Sequence, residues 1–421
     1  MQKFENMKEM IIKSVSIGDE LLIGQVINTN AAWLGEHLSD AGFQLDSVLT
    51  IGDSEKAILE AFNACMDADL VLVTGGLGPT ADDITKPTVC KFFNTELEFC
   101  QAAYDNLISL FKRRGFQMSE RNRGQAMLPK ACEYIPNTYG TAPCMWLEKN
   151  GVAFVFMPGV PFEMKGIFTD ELLPRIKERF RSVPYEKRVI MTTGIGESFL
   201  ADKIKDWEDA LPKFLSLAYL PQYGMVRLRL SGRHEDAALL HNTLDEEVKK
   251  LTTRIAEYIF SMQDQPIERT VFDLLLHRGL TFASAESCTG GNIAHVITLI
   301  PGSSDVFKGT AVTYATPMKT KVLGVPSATI EKHGVVSQEV VESMAVGVRN
   351  LMEADFGVAT TGVAGPSGGT EENPVGTVWI SVASHSGVVS KRFNFGKDRE
   401  NVINRATIAA FEMLRESILA S

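Results

Sequence analysis

The stretch Ala283 to Gly291, A-S-A-E-S-C-T-G-G, constrains the last third of the chain more than any other. It follows the apolar run Gly279 to Ala283 and precedes apolar residues at helical spacing, Ile293, Ala294, Ile297 and Ile300. This reads as a strand turning sharply into a helix. Such a turn exposes a hydroxyl beside the helix's unpaired backbone N–H groups, which favour anions and can hold a developing oxyanion. Ser287 is therefore a candidate nucleophile. Ser and Thr are also common N-caps, so the same residues taken alone read as a cap.

Downstream, V-T-Y-A-T-P-M-K-T-K-V-L-G-V supplies Tyr314 and Lys319, and T-T-G-V-A-G-P-S-G-G forms a second glycine-rich loop from Thr360 to Gly369. An unassisted Ser hydroxyl is a poor nucleophile and needs a base beside it. A Lys in a desolvated pocket can have its pKa lowered enough to serve. Of 7 His, only His333 in K-H-G-V-V-S falls in the glycine-bearing stretches. Ser287 with Lys319 as base, and Tyr314 relaying or orienting the proton, is favoured over a Ser/His pair. Cys288 is the rival nucleophile; its bland reading is a small buried spacer.

Taken in order, A-E-S-C-T-G-G, Y-x4-K, H-G-V-V-S and T-G-V-A-G-P resemble the C-terminal domain of the CinA family, the nicotinamide mononucleotide (NMN) deamidases, from about Ile267 onward. The resemblance implies Ser287, Lys319 and Tyr314 as the catalytic trio, release of ammonia from NMN to leave nicotinate mononucleotide, and no cofactor for that step. NMN also carries a monophosphate, for which Thr289, Gly290 and Gly291 at the helix start and Thr361, Gly362, Ala364 and Gly365 in the second loop offer ligands. Arg399, in F-G-K-D-R-E-N, matches the family's G-x-x-R position; otherwise it reads as a surface Arg opening a helix. Where the family usually has Y-S-N-E-A-K this chain has Y-A-T-P-M-K, and Pro317 is read as opening the helix that carries Lys319.

With 421 residues, two or three domains are expected. A net charge of −10 argues against a general polyanion binder. The Cys, at 65, 90, 100, 132, 144 and 288, show no C-x2-C pair, so a reducing cytoplasm is expected. The N-terminal M-Q-K-F-E-N-M-K-E-M places Glu where a signal peptide has its apolar core, and no run is long enough to span a membrane.

From about Met10 to Phe180, strand and helix patterns alternate, which favours a parallel α/β sheet. I-I-K-S-V-S-I-G-D-E reads as a strand ending at Gly18, with Asp19 and Glu20 beyond it. A helix follows from Asn28 to Gly42, and another from Ser54 to Met66. D-L-V-L-V-T-G-G-L-G-P-T-A-D-D-I-T-K is the clearest signal, a strand running into a glycine loop with two carboxylates and a Lys. Glycines at the carboxyl end of such a strand let backbone approach phosphate. The loop is neither G-x-x-x-x-G-K-[ST] nor G-x-G-x-x-G. Instead it resembles the molybdopterin-binding fold, and with G-D-E-L-L-I-G, R-N-R-G-Q-A-M-L-P and F-M-P-G-V-P-F-E-M it resembles the CinA N-terminal domain. That resemblance implies metal-dependent hydrolysis of ADP-ribose. Gly75, Gly76, Gly78, Thr80, Pro158 and Gly159 would bind the nucleotide, Lys86 would neutralise charge, and Asp82 and Asp83 would hold a divalent ion of unknown identity. The plainer reading of the two Asp is the first turn of a helix.

From about Tyr185 to Gln263, a strand, the turn G-I-G-E, a helix, a hairpin with Val226, Leu228 and Leu230 alternating, and a charged helix are similar to the small KH-type α+β linker domain of full-length CinA proteins. RNA binding does not follow: Tyr185 to Ser261 carries 11 Lys plus Arg against 12 Asp plus Glu, and G-I-G-E lacks basic character. A spacer or dimerisation role, with the chain a homodimer, is expected. The deamidase domain runs from Pro266 to Ser421. The whole chain reads as a pyridine-nucleotide salvage hydrolase with NMN and ADP-ribose as its partners. The alternatives are a molybdopterin-handling protein, or a non-catalytic adaptor in competence or DNA damage.

Overall fold

The computed structural model describes residues 10–78, 84–115 and 117–421, the side chains of residues 120 and 121 excepted. The chain divides into two compact units, one running to Glu186 and including Arg233–His241, the other made of Lys187–Gly232 and Asn242–Ser421.

The first unit carries strands β1 (Ile12–Ile17), β2 (Leu45–Ile51), β3 (Leu70–Thr74), β4 (Leu97–Phe99), β5 (Met127–Pro129), β6 (Glu133–Ile135), β7 (Cys144–Lys149) and β8 (Val152–Met157). Six of them form one sheet in the order β2-β1-β3-β8-β7-β6, while β4 and β5 pair in a separate ribbon. β1, β2, β3 and β8 are parallel, and β7 and β6 close one edge antiparallel. The central β3 reads L-V-L-V-T because both its faces are covered. Leu70 and Leu72 enter one core with the helices Thr29–Asp40 and Pro161–Ile167, and Val71 and Val73 enter the other with the helices Glu55–Ala64 and Thr85–Phe93. Two helix starts are fixed by side-chain caps: Asn28 accepts from Ala31 N at 3.1 Å and Ser54 from Ala57 N at 3.3 Å.

In the second unit, β9 (Tyr185–Thr193), β10 (Leu215–Gln222), β11 (Met225–Arg233) and β12 (Ile259–Ser261) form a sheet in the order β10-β11-β9-β12. β10 and β11 are a hairpin closed by Tyr223 and Gly224, with Val226, Leu228 and Leu230 buried as their alternation requires. The larger sheet has β13 (Phe282–Glu286), β14 (Phe307–Val312), β15 (Phe356–Gly362), β16 (Thr377–Ser384) and β17 (Gly387–Asn394) in the order β14-β13-β15-β16-β17. β13 runs parallel to both neighbours; β16 and β17 continue as an antiparallel meander. Phe282 faces the helices Ile267–Arg278 and Arg399–Ala420, while Ala283 and Ala285 face the helix Gln338–Leu351. Small residues on that second face admit the helix closely, and a Cβ on Gly357 would overlap the carbonyl of Ala345. Each fully buried Phe or Val in these cores contributes about 1.5–3 kcal/mol. Among the described residues no helix is long and apolar enough to cross a membrane, and all six cysteines are free thiols.

Candidate functional site

The chain leaves the second unit's main sheet after Glu286, and Ser287 is fixed at once because its N–H donates to Thr360 O on β15 at 3.1 Å. Gly290 and Gly291 then take φ of +63° and +104°, the left-handed region that glycine enters without cost, and turn the chain into the helix Asn292–Thr298. Lys319 reaches the same place from the helix Thr316–Leu323, with Pro317 in its first turn. Ser287 is 9% exposed and Lys319 0%. Lys319 Nζ lies 3.0 Å from Ser287 Oγ and donates to Thr313 O at 2.6 Å. Burial pushes the Lys319 amine below its ordinary value of 10.5, opposed in small part by the neighbouring Cys288. When the amine is neutral, one N–H can stay on the carbonyl while the lone pair faces the hydroxyl at this distance, the arrangement a Ser/Lys pair needs. Cys288 is buried as well, and burial pushes its thiol up to about 12, away from the thiolate a nucleophile requires.

Tyr314 departs from its expected place. It is 59% exposed, and its Oη accepts from Arg399 Nη2 at 2.8 Å; among the described residues it has no hydrogen bond to Ser287 or Lys319. Thr313 and Tyr314 are the two residues that follow β14, and the buried one is Thr313. The Thr313 hydroxyl, 1% exposed, has no hydrogen-bond partner among the described residues.

The donors expected to meet an anion at the helix start are largely used internally. Glu286, 0% exposed, accepts on Oε2 from Thr289 Oγ1 at 2.8 Å, Gly291 N at 2.9 Å and Ile293 N at 3.2 Å, and on Oε1 from Ala294 N at 3.0 Å. Gly290 N donates to Ser287 O at 3.1 Å. A carboxylate on the last strand residue satisfies the helix terminus before any ligand arrives, which corrects the anion role expected of Gly290 and Gly291. Among the described residues the N–H groups of Cys288 and Thr289, next to the nucleophile, donate to no backbone carbonyl.

Arg399 opens the helix Arg399–Ala420, where Asp398 caps by accepting from Asn401 N at 2.8 Å. Its guanidinium spans from Tyr314 to Gly365 O, to which Nη1 donates at 2.6 Å. Arg399 and Tyr314 thus join the second glycine loop to the segment leading to Lys319. Within that loop Ala364 is buried, Gly365 takes φ +87°, and a Cβ on Gly362 would stand 2.6 Å from Thr377 O. The Thr361 hydroxyl donates to Val335 O at 2.9 Å.

In the first unit, Gly75 and Gly76 follow β3 at φ +104° and +65°. A Cβ on Gly75 would overlap Ile17 O, and one on Gly76 would overlap the Thr85 hydroxyl. Gly159, after the buried Pro158, packs against Gly75, and its carbonyl accepts from Asn30 Nδ2 at 2.7 Å. Gly75, Gly76, Pro158 and Gly159 therefore gather at the carboxyl ends of the parallel strands, with Gly78 two residues beyond Gly76. Lys86 is the residue expected to neutralise charge at this loop. It is buried, and its Nζ is held by the carbonyls of Gly124, Gln125 and Met127 at 3.3–3.4 Å. Thr80, Asp82 and Asp83 lie outside the described residues. Among the described residues no group of three or more His, Cys, Asp or Glu is placed to hold a metal.

Several residues here escaped the sequence reading. Glu286, Thr313 and Thr360 complete the Ser287 site. Asn30 and Thr85 stand at the glycine cradle with Asn30 Oδ1 and Thr85 Oγ1 buried and unpartnered among the described residues. Asp53 approaches Gly76, and its N–H and carboxylate exchange hydrogen bonds with those of Asp19 at 3.1 and 3.0 Å. Ser284 and Glu286 left a signal, since two polar residues two apart inside an apolar strand need a buried partner.

Residues 13–178 match the family model of a probable molybdopterin binding domain, 187–261 that of the damage-inducible protein CinA KH domain, and 264–418 that of the CinA C-terminal domain. A CinA-like protein of Cytophaga hutchinsonii is 42% identical, covering 96% of this chain and 97% of its own length. A putative competence-damage inducible protein of Caldicellulosiruptor saccharolyticus is 38% identical over 97% and 100%. The crystal structure of the competence/damage inducible protein CihA from Agrobacterium tumefaciens is 37% identical, covering 36% of this chain and 92% of that one, with a TM-score of 0.35. Relatives this similar along nearly the whole length, together with the three matched domain types, establish that the chain belongs to the family of CinA-like, competence-damage inducible proteins.

Proposed function

We propose that the Ser287 site is an amidohydrolase acting on the carboxamide of nicotinamide mononucleotide. The observation that carries this reading is the 3.0 Å approach of a fully buried Lys319 Nζ to Ser287 Oγ. Lys319 takes the Ser287 proton as Oγ adds to the carboxamide carbon, and the N–H groups of Cys288 and Thr289 receive the oxyanion. The C–N bond breaks, the amide nitrogen takes the proton from Lys319, and ammonia leaves an acyl ester on Ser287. Water then adds to the ester carbon and gives a proton to Lys319. As the C–O bond to the enzyme breaks, that proton returns to Oγ and nicotinate mononucleotide departs. Arg399, with Tyr314 and the Gly365 loop, is the proposed phosphate ligand, since a guanidinium pairs well with phosphate oxygens.

For the first unit the proposed reaction is hydrolysis of ADP-ribose at its pyrophosphate. The glycine cradle and the unpartnered Asn30 Oδ1 and Thr85 Oγ1 support a polar ligand at the strand ends. A divalent ion, when bound, would neutralise the diphosphate, and Asp82 and Asp83 are the residues proposed to hold it. Incubating the protein separately with NMN, ADP-ribose and molybdopterin distinguishes the readings. Ammonia from NMN and AMP from ADP-ribose are expected. Turnover of neither nucleotide would leave a molybdopterin-handling protein or a non-catalytic adaptor.

A further inference from the structure

We infer that Glu286 is a positioning residue whose buried carboxylate holds the Ser287 loop in its reactive form from behind, through Thr289. The inference rests on the amidohydrolase reading above. On one strand face Ser284 Oγ lies 2.8 Å from Thr310 Oγ1 and 3.3 Å from Glu286 Oε1, and Thr310 Oγ1 lies 3.4 Å from Glu286 Oε1. On the other side Thr289 Oγ1 lies 2.8 Å from both Glu286 Oε2 and Thr360 Oγ1. A polar ladder thus crosses β14, β13 and β15, and the carboxylate sits among three backbone N–H donors, of Gly291, Ile293 and Ala294, and the hydroxyls of Ser284, Thr310 and Thr289, each with one proton to share. Such a carboxylate is costly to bury, and only this full set of donors makes it tolerable. What the ladder fixes is specific. Thr289, held by its side chain, carries one of the two N–H groups beside Ser287 that donate to no backbone carbonyl among the described residues, and the Glu286 and Thr360 backbones on either side anchor Thr313 N at 2.9 Å and Ser287 N at 3.1 Å. The same occupancy leaves the helix terminus fewer donors for a substrate phosphate.

Glutamine at 286 has one accepting oxygen, so whichever way it turns its NH2 faces a backbone N–H, that of Ala294 on one side or those of Gly291 and Ile293 on the other. Valine at 289 keeps the side chain's shape but removes its hydroxyl. The test is the rate at which a fluorophosphonate ester labels Ser287 in the full-length protein, located by mass spectrometry, alongside kcat and KM for NMN and the thermal midpoint. Thr289→Val is expected to keep its fold, to label about 10- to 100-fold more slowly and to lose kcat by a similar factor with KM nearly constant, because a misplaced oxyanion donor weakens only the transition state. Thr289→Ser should restore most of the labelling rate, and Glu286→Gln should lose at least as much as Thr289→Val. Labelling of Thr289→Val and any folded Glu286→Gln within about twofold of wild type would overturn the positioning role and leave the amidohydrolase reading intact. Wild-type labelling without ammonia release would instead overturn the substrate, while the variants still decide the role of Glu286. A wild-type protein that neither takes the label nor releases ammonia would overturn both.

Discussion

The glycine loops beyond β3 and β13 occupy the same place in their sheets, at the carboxyl ends of parallel strands, yet they are completed by opposite means. Beyond β13 each side chain needs another: Glu286 secures the turn, Thr360 O holds Ser287, and Thr313 O directs Lys319 at the nucleophile. Beyond β3 the glycines press against backbone and against Thr85, and Lys86, expected to face a diphosphate, is bound by three carbonyls of its own unit. Glycine spacing therefore marks where backbone comes close. Which groups are left for a ligand depends on which donors the protein has already used.

The sharpest way to break this comparison is Ser287→Ala. It should lower ammonia release from NMN by about 10³-fold or more and leave ADP-ribose turnover within about twofold, while Cys288→Ala retains most deamidation. Simultaneous loss of both activities would mean that the two loops do not work separately. The reverse experiment removes both Asp82 and Asp83. Metal-stimulated ADP-ribose hydrolysis should fall about 100-fold with deamidation retained, and unchanged turnover would remove those carboxylates as metal ligands. Arg399→Ala should raise KM for NMN about 10- to 100-fold, the equivalent of one charge-assisted hydrogen bond to phosphate. A fall in kcat at constant KM would place Arg399 at the reacting carbon instead. The smallest effect is expected at Lys86→Met, a loss of about 1–3 kcal/mol in denaturant unfolding from three carbonyls left without their donor.

Much of the fold was legible because its signals are local. The all-apolar β3 announced a strand covered on both faces, Asn28 and Ser54 announced helix starts, and the alternation of Val226, Leu228 and Leu230 announced the hairpin. Ser287 and Lys319 were legible as residue types whose chemistry requires a partner. Tyr314 was not, because spacing along the chain says nothing of which residue after the strand turns inward, and Thr313 took the buried side. A glutamate before a helix reads as a solvated charge; only the sheet shows that Glu286 is enclosed by three backbone N–H groups and three hydroxyls. Lys86 illustrates the same limit, since its carbonyl partners lie 38 to 41 residues away in sequence.

Whether burial makes Lys319 the base for Ser287 is read most directly from the pH dependence of kcat/KM for NMN. Only the neutral amine can accept the proton, and burial lowers its pKa from 10.5. Activity should therefore rise with pH through an apparent pKa below 10.5 and fall away on its acid side, where Lys319 is charged. Lys319→Arg should lose nearly all turnover at every pH while still binding NMN, because a guanidinium stays protonated. An acid limb at the ordinary lysine value, or a limb unchanged in the residual activity of Lys319→Arg, would contradict the assignment of Lys319 as the base.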